Sequence, residues 1–424
     1  MAPSNPDRAR LTLLTLQEVD YPPTFTYYFF SEIIKAFESS ADSDIYHSIR
    51  VSVISWFIGK KLGFDNDDMN ELFVSAILHD IGGLSKGKNI ADSISVNPDP
   101  FSQKTNFYIF SHTHRGHYFL RRFPTLRKVA DIVFAHHEFF NGTGFPLGLK
   151  EEKIPLASRI IRIADSVDIT LRNYEINTVD ELTSFLSITL SDEFDPSIYK
   201  IFENLLQENN FFEKIKDSAY IEKKFEAVVK SLKDDKYLYS TDTINRLFEN
   251  IAILTDSITS HEKNHSLRVA EFAEKIVMGL KFDTPEVINT RWSAFLHDIG
   301  KIKNDHSVYS KKTKLTTHDW DVIYSHPKLS YSIVNNVPGM EKIAYYVLYH
   351  HENFDGSGYP EGLSGEKIPL ISRVLRVADA FEAMTSEQIY QRKRDWQLAM
   401  KELNNCAGKQ FDPKIVELFT NIYN

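Results

Sequence analysis

The chain is poor in several things, and each absence narrows the field. A single cysteine, Cys406, in 424 residues rules out any intrachain disulfide and fits a reducing compartment. No run approaches the roughly twenty apolar residues that a membrane span requires. The opening MAPSNPDRARLTLLTLQEVDY lacks the uninterrupted apolar core of a secretory signal, so a cytoplasmic protein with no membrane attachment is expected. Positive charge is also scarce: 49 Lys and Arg against 58 Asp and Glu give a net charge of −9. That balance excludes general binding to long nucleic acid, which needs a cationic excess to neutralise phosphates. It leaves room for a small anionic ligand, because metal ions and a few local cations can supply the positive charge. Strand signals are sparse, and no Asn-Gly or Asp-Gly turn separates alternating apolar runs.

What the chain does have is histidine in a repeated order. His47, His79-Asp80, His112, His136-His137 and Asp165 are followed by His265, His297-Asp298, His326, His350-His351 and Asp379. The steps match: 32 residues from the first histidine to the second, 24 from the third to the fourth, 29 from the fourth to the last aspartate. Only the step from the His-Asp pair to the next histidine differs, 33 residues against 29. Ten of the fifteen histidines fall on these positions, which marks a tandem duplication rather than chance.

The length suits two domains of ordinary size, each with its own core. Residues 1–23 read as an extension, 24–212 as the first repeat, 213–240 as a charged helical connector and 241–424 as the second repeat. Ile49, Val53, Trp56 and Phe57 in the first repeat fall on a helical apolar stripe, as do Val269, Phe272, Ala273, Ile276 and Val277 in the second. Both repeats close on Phe-Asp-Pro, at Phe194–Pro196 and Phe411–Pro413. The expected fold is all-α, two helical bundles in series.

Imidazole and carboxylate ligands together suit iron, manganese or zinc, and a carboxylate can bridge two ions. Six or seven such donors exceed the needs of one tetrahedral ion, so each set points to a centre of two ions. Such a centre suits in-line displacement at phosphorus, because it clamps both the attacking and the leaving oxygens. His114 and His117 lie outside the pattern and are expected to serve packing or the surface.

In the second repeat the sequence resembles a known family. His297-Asp298-Ile299-Gly300-Lys301, His350-His351-Glu352 and Asp355-Gly356-Ser357-Gly358-Tyr359-Pro360 are similar to the motifs of the HD-GYP phosphodiesterases, a branch of the HD-domain metal-dependent phosphohydrolases. The likeness continues through GLSGEKIPLISRVLRVADAFEAMTS to the closing Phe-Asp-Pro. It implies an all-α domain with two or three divalent ions, iron or manganese, that hydrolyses cyclic di-GMP or, in some relatives, cyclic GMP-AMP. Carried over by position, it implies His265, His297, Asp298, His326, His350, His351 and Asp379 as metal ligands, with His261 as an additional one. Asp298 and Lys301 take the catalytic places, Lys301 beside the scissile phosphate. Lys301, Arg373, Arg392 and Tyr359 are the expected substrate contacts. In the family the Gly-Tyr-Pro segment also marks a surface for protein contacts, so a homodimer or signalling partners are expected alongside the cyclic dinucleotide.

The departures from the family pattern are specific. Where it shows a Thr-Ser-Asp-Arg-Pro-Tyr-Arg run, this chain reads Thr385-Ser386-Glu387-Gln388-Ile389-Tyr390-Gln391, with Arg392, Lys393 and Arg394 following. Each cation replaced by glutamine withholds a charge-assisted phosphate bond of about 1.5–3 kcal/mol. In the first repeat Gly83 replaces the lysine and Asn141-Gly142-Thr143-Gly144-Phe145-Pro146 softens the glycine-rich loop. Its ligand types all survive, so His47, His79, Asp80, His112, His136, His137 and Asp165 form a second expected metal site with weak or no catalysis. The leading expectation is a cyclic di-GMP phosphodiesterase; a phosphodiesterase for cyclic GMP-AMP or another diester, and a signalling module that binds cyclic dinucleotide without turnover, are the alternatives. Since the first repeat stands where relatives carry an input domain, it is also expected to control the second. Replacing His79 and Asp80 with alanine would then change turnover, and unchanged kinetics in a folded variant would refute that control.

Overall fold

The computed structural model of the chain describes residues 22, 24–38, 46–86, 103–232, 237, 240–259, 264–305, 307–311, 313–386 and 395–423. Among these no strand forms and the architecture is all-α. The chain divides into two compact units, one spanning Thr26–Tyr237 and the other built on Leu238–Asn424.

The first unit contains α1 (Phe25–Glu38), α2 (His47–Leu62), α3 (Asn66–Leu78), α4 (Gln103–Arg121), α5 (Arg127–Phe134), α6 (Leu156–Asn173), α7 (Val179–Leu190), α8 (Pro196–Leu206), α9 (Phe211–Lys216) and α10 (Ser218–Ser231). Local chemistry sets the helix ends. Gly63 takes the left-handed conformation, φ 76°, that closes α2, and its N–H bonds back to the preceding turn. Asp65 then caps α3 by accepting from the Asp68 N–H. The core joins Val51, Ile54 and Ile58 of α2, Leu72 and Ala76 of α3, and Ile160, Ile163 and Val167 of α6. Ile49 and Val53 are buried as the stripe predicts, whereas Trp56 and Phe57 are half-buried beneath the Lys224 ammonium, 4.1 Å and 4.9 Å from their ring centres.

Lys224 belongs to the segment expected to join the repeats, and here the structure differs from the expectation. Residues up to Tyr237 belong to the first unit. Ile221, Phe225, Val228 and Val229 of α10 are buried, and Phe225 stacks on Phe73 of α3 at 5.4 Å. The charges of this segment line one face only; its apolar residues recur at helical spacing on the other and pack inward.

The second unit contains α11 (Thr241–Thr259), α12 (His265–Gly279), α13 (Thr284–Leu296), α14 (Ser307–Ser310), α15 (Thr317–Asn335), α16 (Glu341–Leu348), α17 (Leu370–Thr385), α18 (Trp396–Asn405) and α19 (Pro413–Tyr423). Phe381 of α17 and Phe419 of α19 are fully buried and meet edge-on at 4.9 Å, with Trp396 and Phe272 against Phe381. Each buried aromatic of this kind contributes about 1.5–3 kcal/mol.

The same plan positions the histidines in both units. One helix ends at the His-Asp pair, which is followed by a 3₁₀ turn, Ile81–Lys86 or Ile299–Lys303. The helix carrying the third histidine packs directly on that turn, and a glycine permits the approach. A Cβ on Gly300 would stand 2.3 Å from the His326 carbonyl oxygen and 2.4 Å from the Ser330 nitrogen. Ser330 ties the two pieces together, its hydroxyl donating to the His297 carbonyl and accepting from the Gly300 N–H, both at 2.8 Å.

Candidate metal centres

In the second unit all seven expected ligands come together. Ligand atoms of His265, His297 and Asp379 lie within 4.8 Å of one another, and so do those of His326, His350 and His351. Asp298 stands between the two groups. Its Oδ1 is 3.2 Å from His326 Nε2, and its Oδ2 is 3.3 Å from His297 Nε2 and 3.8 Å from His265 Nε2. His261 lies outside the described residues, as do Gln388, Gln391 and Arg392.

Hydrogen bonds fix which nitrogen each ring presents. The Nδ1–H groups of His297, His326 and His350 donate to the carbonyls three residues earlier, Ala294, Ile323 and Val347, at 2.8, 2.6 and 2.5 Å. Each Nε2 therefore turns a lone pair into the cluster. His326 and His350 Nε2 face each other at 3.3 Å with no proton between them, an arrangement that repels until a cation sits there. His297 Nε2 and Asp298 Oδ1 are buried with no hydrogen-bond partner. The donor set thus fits divalent metal. Burial, reinforced by neighbouring imidazoles, holds His350 and His351 well below the ordinary histidine value, so both are neutral and able to ligate. Burial also lowers His326 to about 4 against the pull of Asp298. For Asp298 burial acts the other way, but His297 and Lys301 outweigh it and keep the carboxylate ionised.

The surrounding groups orient these ligands. His265 Nδ1 donates to Glu382, which also holds Arg268. Lys301 Nζ is bonded to Asp298; burial disfavours its charge, yet Asp298 and Tyr309 keep its pKa above the ordinary lysine value. Tyr359 packs over the site with its ring 4.9 Å from His351. Glu352 accepts from the Glu361 and Gly362 N–H groups at 2.8 and 3.1 Å and so pins the glycine-rich loop. Gly358 lets that loop close, since a Cβ there would meet the Asn353 nitrogen at 2.2 Å.

One expected substrate contact is engaged elsewhere. Arg373 donates to Asp412 of the closing Phe-Asp-Pro at 2.5 Å and to the Ile368 carbonyl at 3.0 Å. The arginine at the cluster is Arg376, whose Nη1 is 3.5 Å from His351 Nδ1 and whose charge faces Asp379. Both lie on α17, but Arg376 is three residues before Asp379 and therefore shares its face. Glu382 is three residues after Asp379 on the same face. That spacing is the sequence signal for both, and it lies outside the motif strings.

The first unit reproduces the arrangement. Ligand atoms of Asp80, His112, His136 and His137 lie within 4.8 Å of one another, and those of His47, His79 and Asp80 form a second group. Asp165 Oδ1 is 3.6 Å from His47 Nε2. His79 and His136 donate to the carbonyls of Ala76 and Val133, and the Nε2 atoms of His112 and His136 face each other at 3.2 Å. Asp168 takes the place of Glu382, bonded to His47 Nδ1 at 2.5 Å, and Arg162 that of Arg376, 3.1 Å from His137 Nδ1. Phe145 stacks on His137 as Tyr359 does on His351. His117 stacks on Phe134 and reaches Asp131, and His114 meets Phe134 edge-on, so both serve packing. Gly83 stands where the second unit has Lys301, and among the described residues the charged partners of Asp80 are histidines.

The HD domain family model matches residues 35–179 and again 247–415. The chain is 25% identical over 413 residues to 3′3′-cGAMP-specific phosphodiesterase 3 of Vibrio cholerae, covering 87% of this chain and 88% of that protein. It is 30% identical over 183 residues to a cyclic di-GMP phosphodiesterase of Thermotoga maritima, 43% of this chain and half of that relative's length. The crystal structure of a cyclic GMP-AMP specific phosphodiesterase of V. cholerae superposes with a TM-score of 0.64 at 21% identity, over 93% of this chain and 97% of that one. Among the described residues no helix is long and apolar enough to cross a membrane. With a motif-bearing cluster in each unit and a family match covering both, the chain belongs to the HD domain family.

Proposed function

We propose that the protein is a metal-dependent phosphodiesterase that opens a cyclic dinucleotide, with the chemistry in the second unit. The observation that carries this reading is the pairing of a complete ligand cluster with Lys301 on Asp298, where the first unit has Gly83. His265, His297 and Asp379 would hold one divalent ion, His326, His350 and His351 a second, with Asp298 between them. Iron or manganese suits this mixture of imidazole and carboxylate. When bound, the ions supply Lewis acidity, making water nucleophilic at neutral pH and neutralising the phosphate.

The chain's own groups do the rest. Lys301 places a fixed cation where negative charge develops on the phosphoryl oxygens. Arg376, rather than Arg373, offers a guanidinium to a substrate phosphate. Tyr359 excludes water from the His351 side. The product would be a linear dinucleotide, open to further cleavage to mononucleotides. The relative aligned across both repeats is specific for 3′3′-cGAMP, and a second such enzyme from V. cholerae matches 84% of this chain at 24% identity. These extended matches favour cyclic GMP-AMP over cyclic di-GMP as the preferred substrate.

The test is hydrolysis of both dinucleotides by protein loaded anaerobically with Fe(II) or Mn(II). Turnover is expected to vanish in the His297→Ala/Asp298→Ala double variant. Lys301→Ala should lower kcat about 100-fold while metal content is unchanged. Confirmed loading without turnover of either dinucleotide would refute the reading and favour a ligand-binding module.

A further inference from the structure

Trp320 and Tyr324 are large aromatic side chains left 43% and 46% exposed. They lie four residues apart on α15 and so share one helix face. Their ring centres are 5.6 Å apart. The series continues inward: Tyr324 to Tyr359 at 4.5 Å, then Tyr359 to His351 at 4.9 Å. Four rings in sequence thus lead from solvent to a ligand of the metal cluster.

The outer rings are held in register with the catalytic turn. Asn304, just past the 3₁₀ turn that carries Lys301, donates to the Val322 carbonyl at 2.9 Å and accepts from the Ser325 hydroxyl at 3.2 Å. The start of α15 is fixed as well, by a capping box between Thr316 and Asp319, with Lys311 bonded to Asp319 at 2.5 Å. Trp320 and Tyr324 are therefore pre-positioned relative to Lys301. In the first repeat the residue at the same distance before the third histidine as Trp320 is Asn106.

We propose that Trp320 and Tyr324 form a stacking platform for a purine ring of the nucleotide whose phosphate lies at the second metal cluster. The proposal rests on the reading of that cluster as the site of cyclic dinucleotide hydrolysis. Every base offers a π-face, so stacking recovers affinity without choosing between guanine and adenine. Trp320 and Tyr324 are positioning residues; neither approaches the reacting atoms.

Two measurements on the Mn(II)-loaded full chain test this. In steady-state hydrolysis of 3′3′-cGAMP and cyclic di-GMP, Trp320→Ala and Tyr324→Ala should each raise KM about tenfold with kcat within about twofold of wild type. Trp320→Phe should restore most of the loss. In a titration with guanosine 5′-monophosphate, tryptophan emission should be quenched in the wild type, and that component should be absent in Trp320→Phe. KM values unchanged in both alanine variants of an active enzyme overturn the platform, as does quenching that persists without Trp320. If the wild type hydrolyses neither dinucleotide, the functional reading fails. The mononucleotide titration then judges the platform alone, and absence of Trp320-dependent quenching overturns it.

Discussion

His79 and His297 close their helices, His136 and His350 follow just past theirs and His326 sits within α15 before Pro327, yet each donates its Nδ1–H to the carbonyl three residues earlier, a bond that sets its tautomer. The lone pairs are aimed before any ion arrives. His265 is oriented differently, through Glu382, and burial notwithstanding, Asp379 and Glu382 hold it well above the ordinary histidine value. Binding at His265 therefore displaces a proton. Glu382→Ala should weaken Mn(II) affinity by about 10–100-fold in a calorimetric titration of the metal-stripped protein, with Glu382→Gln restoring part of it. An unchanged affinity would assign Glu382 to Arg268 alone. The clustered histidines and aspartates were legible in the sequence because the two repeats preserve their spacing. Glu382 and Arg376 were not, because their significance lies in sharing a helix face with Asp379, a property no motif string expresses. Arg373 misled for the same reason: three residues of rotation carry it to Asp412 instead of the cluster.

At the level of elements, the His-Asp turn comes so close to α15 that Gly300 faces main-chain atoms, with the Ser330 hydroxyl bridging the two pieces. Gly300→Ala would drive a methyl into the His326 carbonyl and the Ser330 nitrogen, both backbone atoms that cannot move aside alone. The second unit should lose about 2–3 kcal/mol in urea unfolding, and metal affinity should fall with it because His297 and His326 are pushed apart. Full stability in that variant would show that the turn can slide on α15. The two apolar stripes foretold α2 and α12, and the same periodicity was present in 213–240 as well. There, the number of Lys, Glu and Asp residues masked Ile221, Phe225, Val228 and Val229, whose spacing is that of a packed helix. Composition describes a segment's average, but burial depends on which side each residue faces.

Across the whole molecule, two histidine–aspartate clusters of one geometry, with Lys301 beside the aspartate of one and Gly83 at that position in the other, describe a duplication. A chelator should lower the melting temperature of the full chain, since ions that bind only the folded state add about 4 kcal/mol at a concentration a thousandfold above their Kd. His79→Ala/Asp80→Ala should lower the metal bound per chain by elemental analysis, and metal content equal to wild type would show that the first cluster is not a site. The means by which both halves kept their geometry is visible in Glu138 and Glu352. Each grips its glycine-rich loop by main-chain N–H groups, those of Leu147 and Leu149 in the first unit and of Glu361 and Gly362 in the second. A carboxylate that reads amides is indifferent to the side chains attached to them. The residues along the loop's outer edge are therefore free to drift, or to be randomised in a library, while Glu352 and Gly358 are not, which makes this loop a place where new specificities can be tried without unmaking the fold.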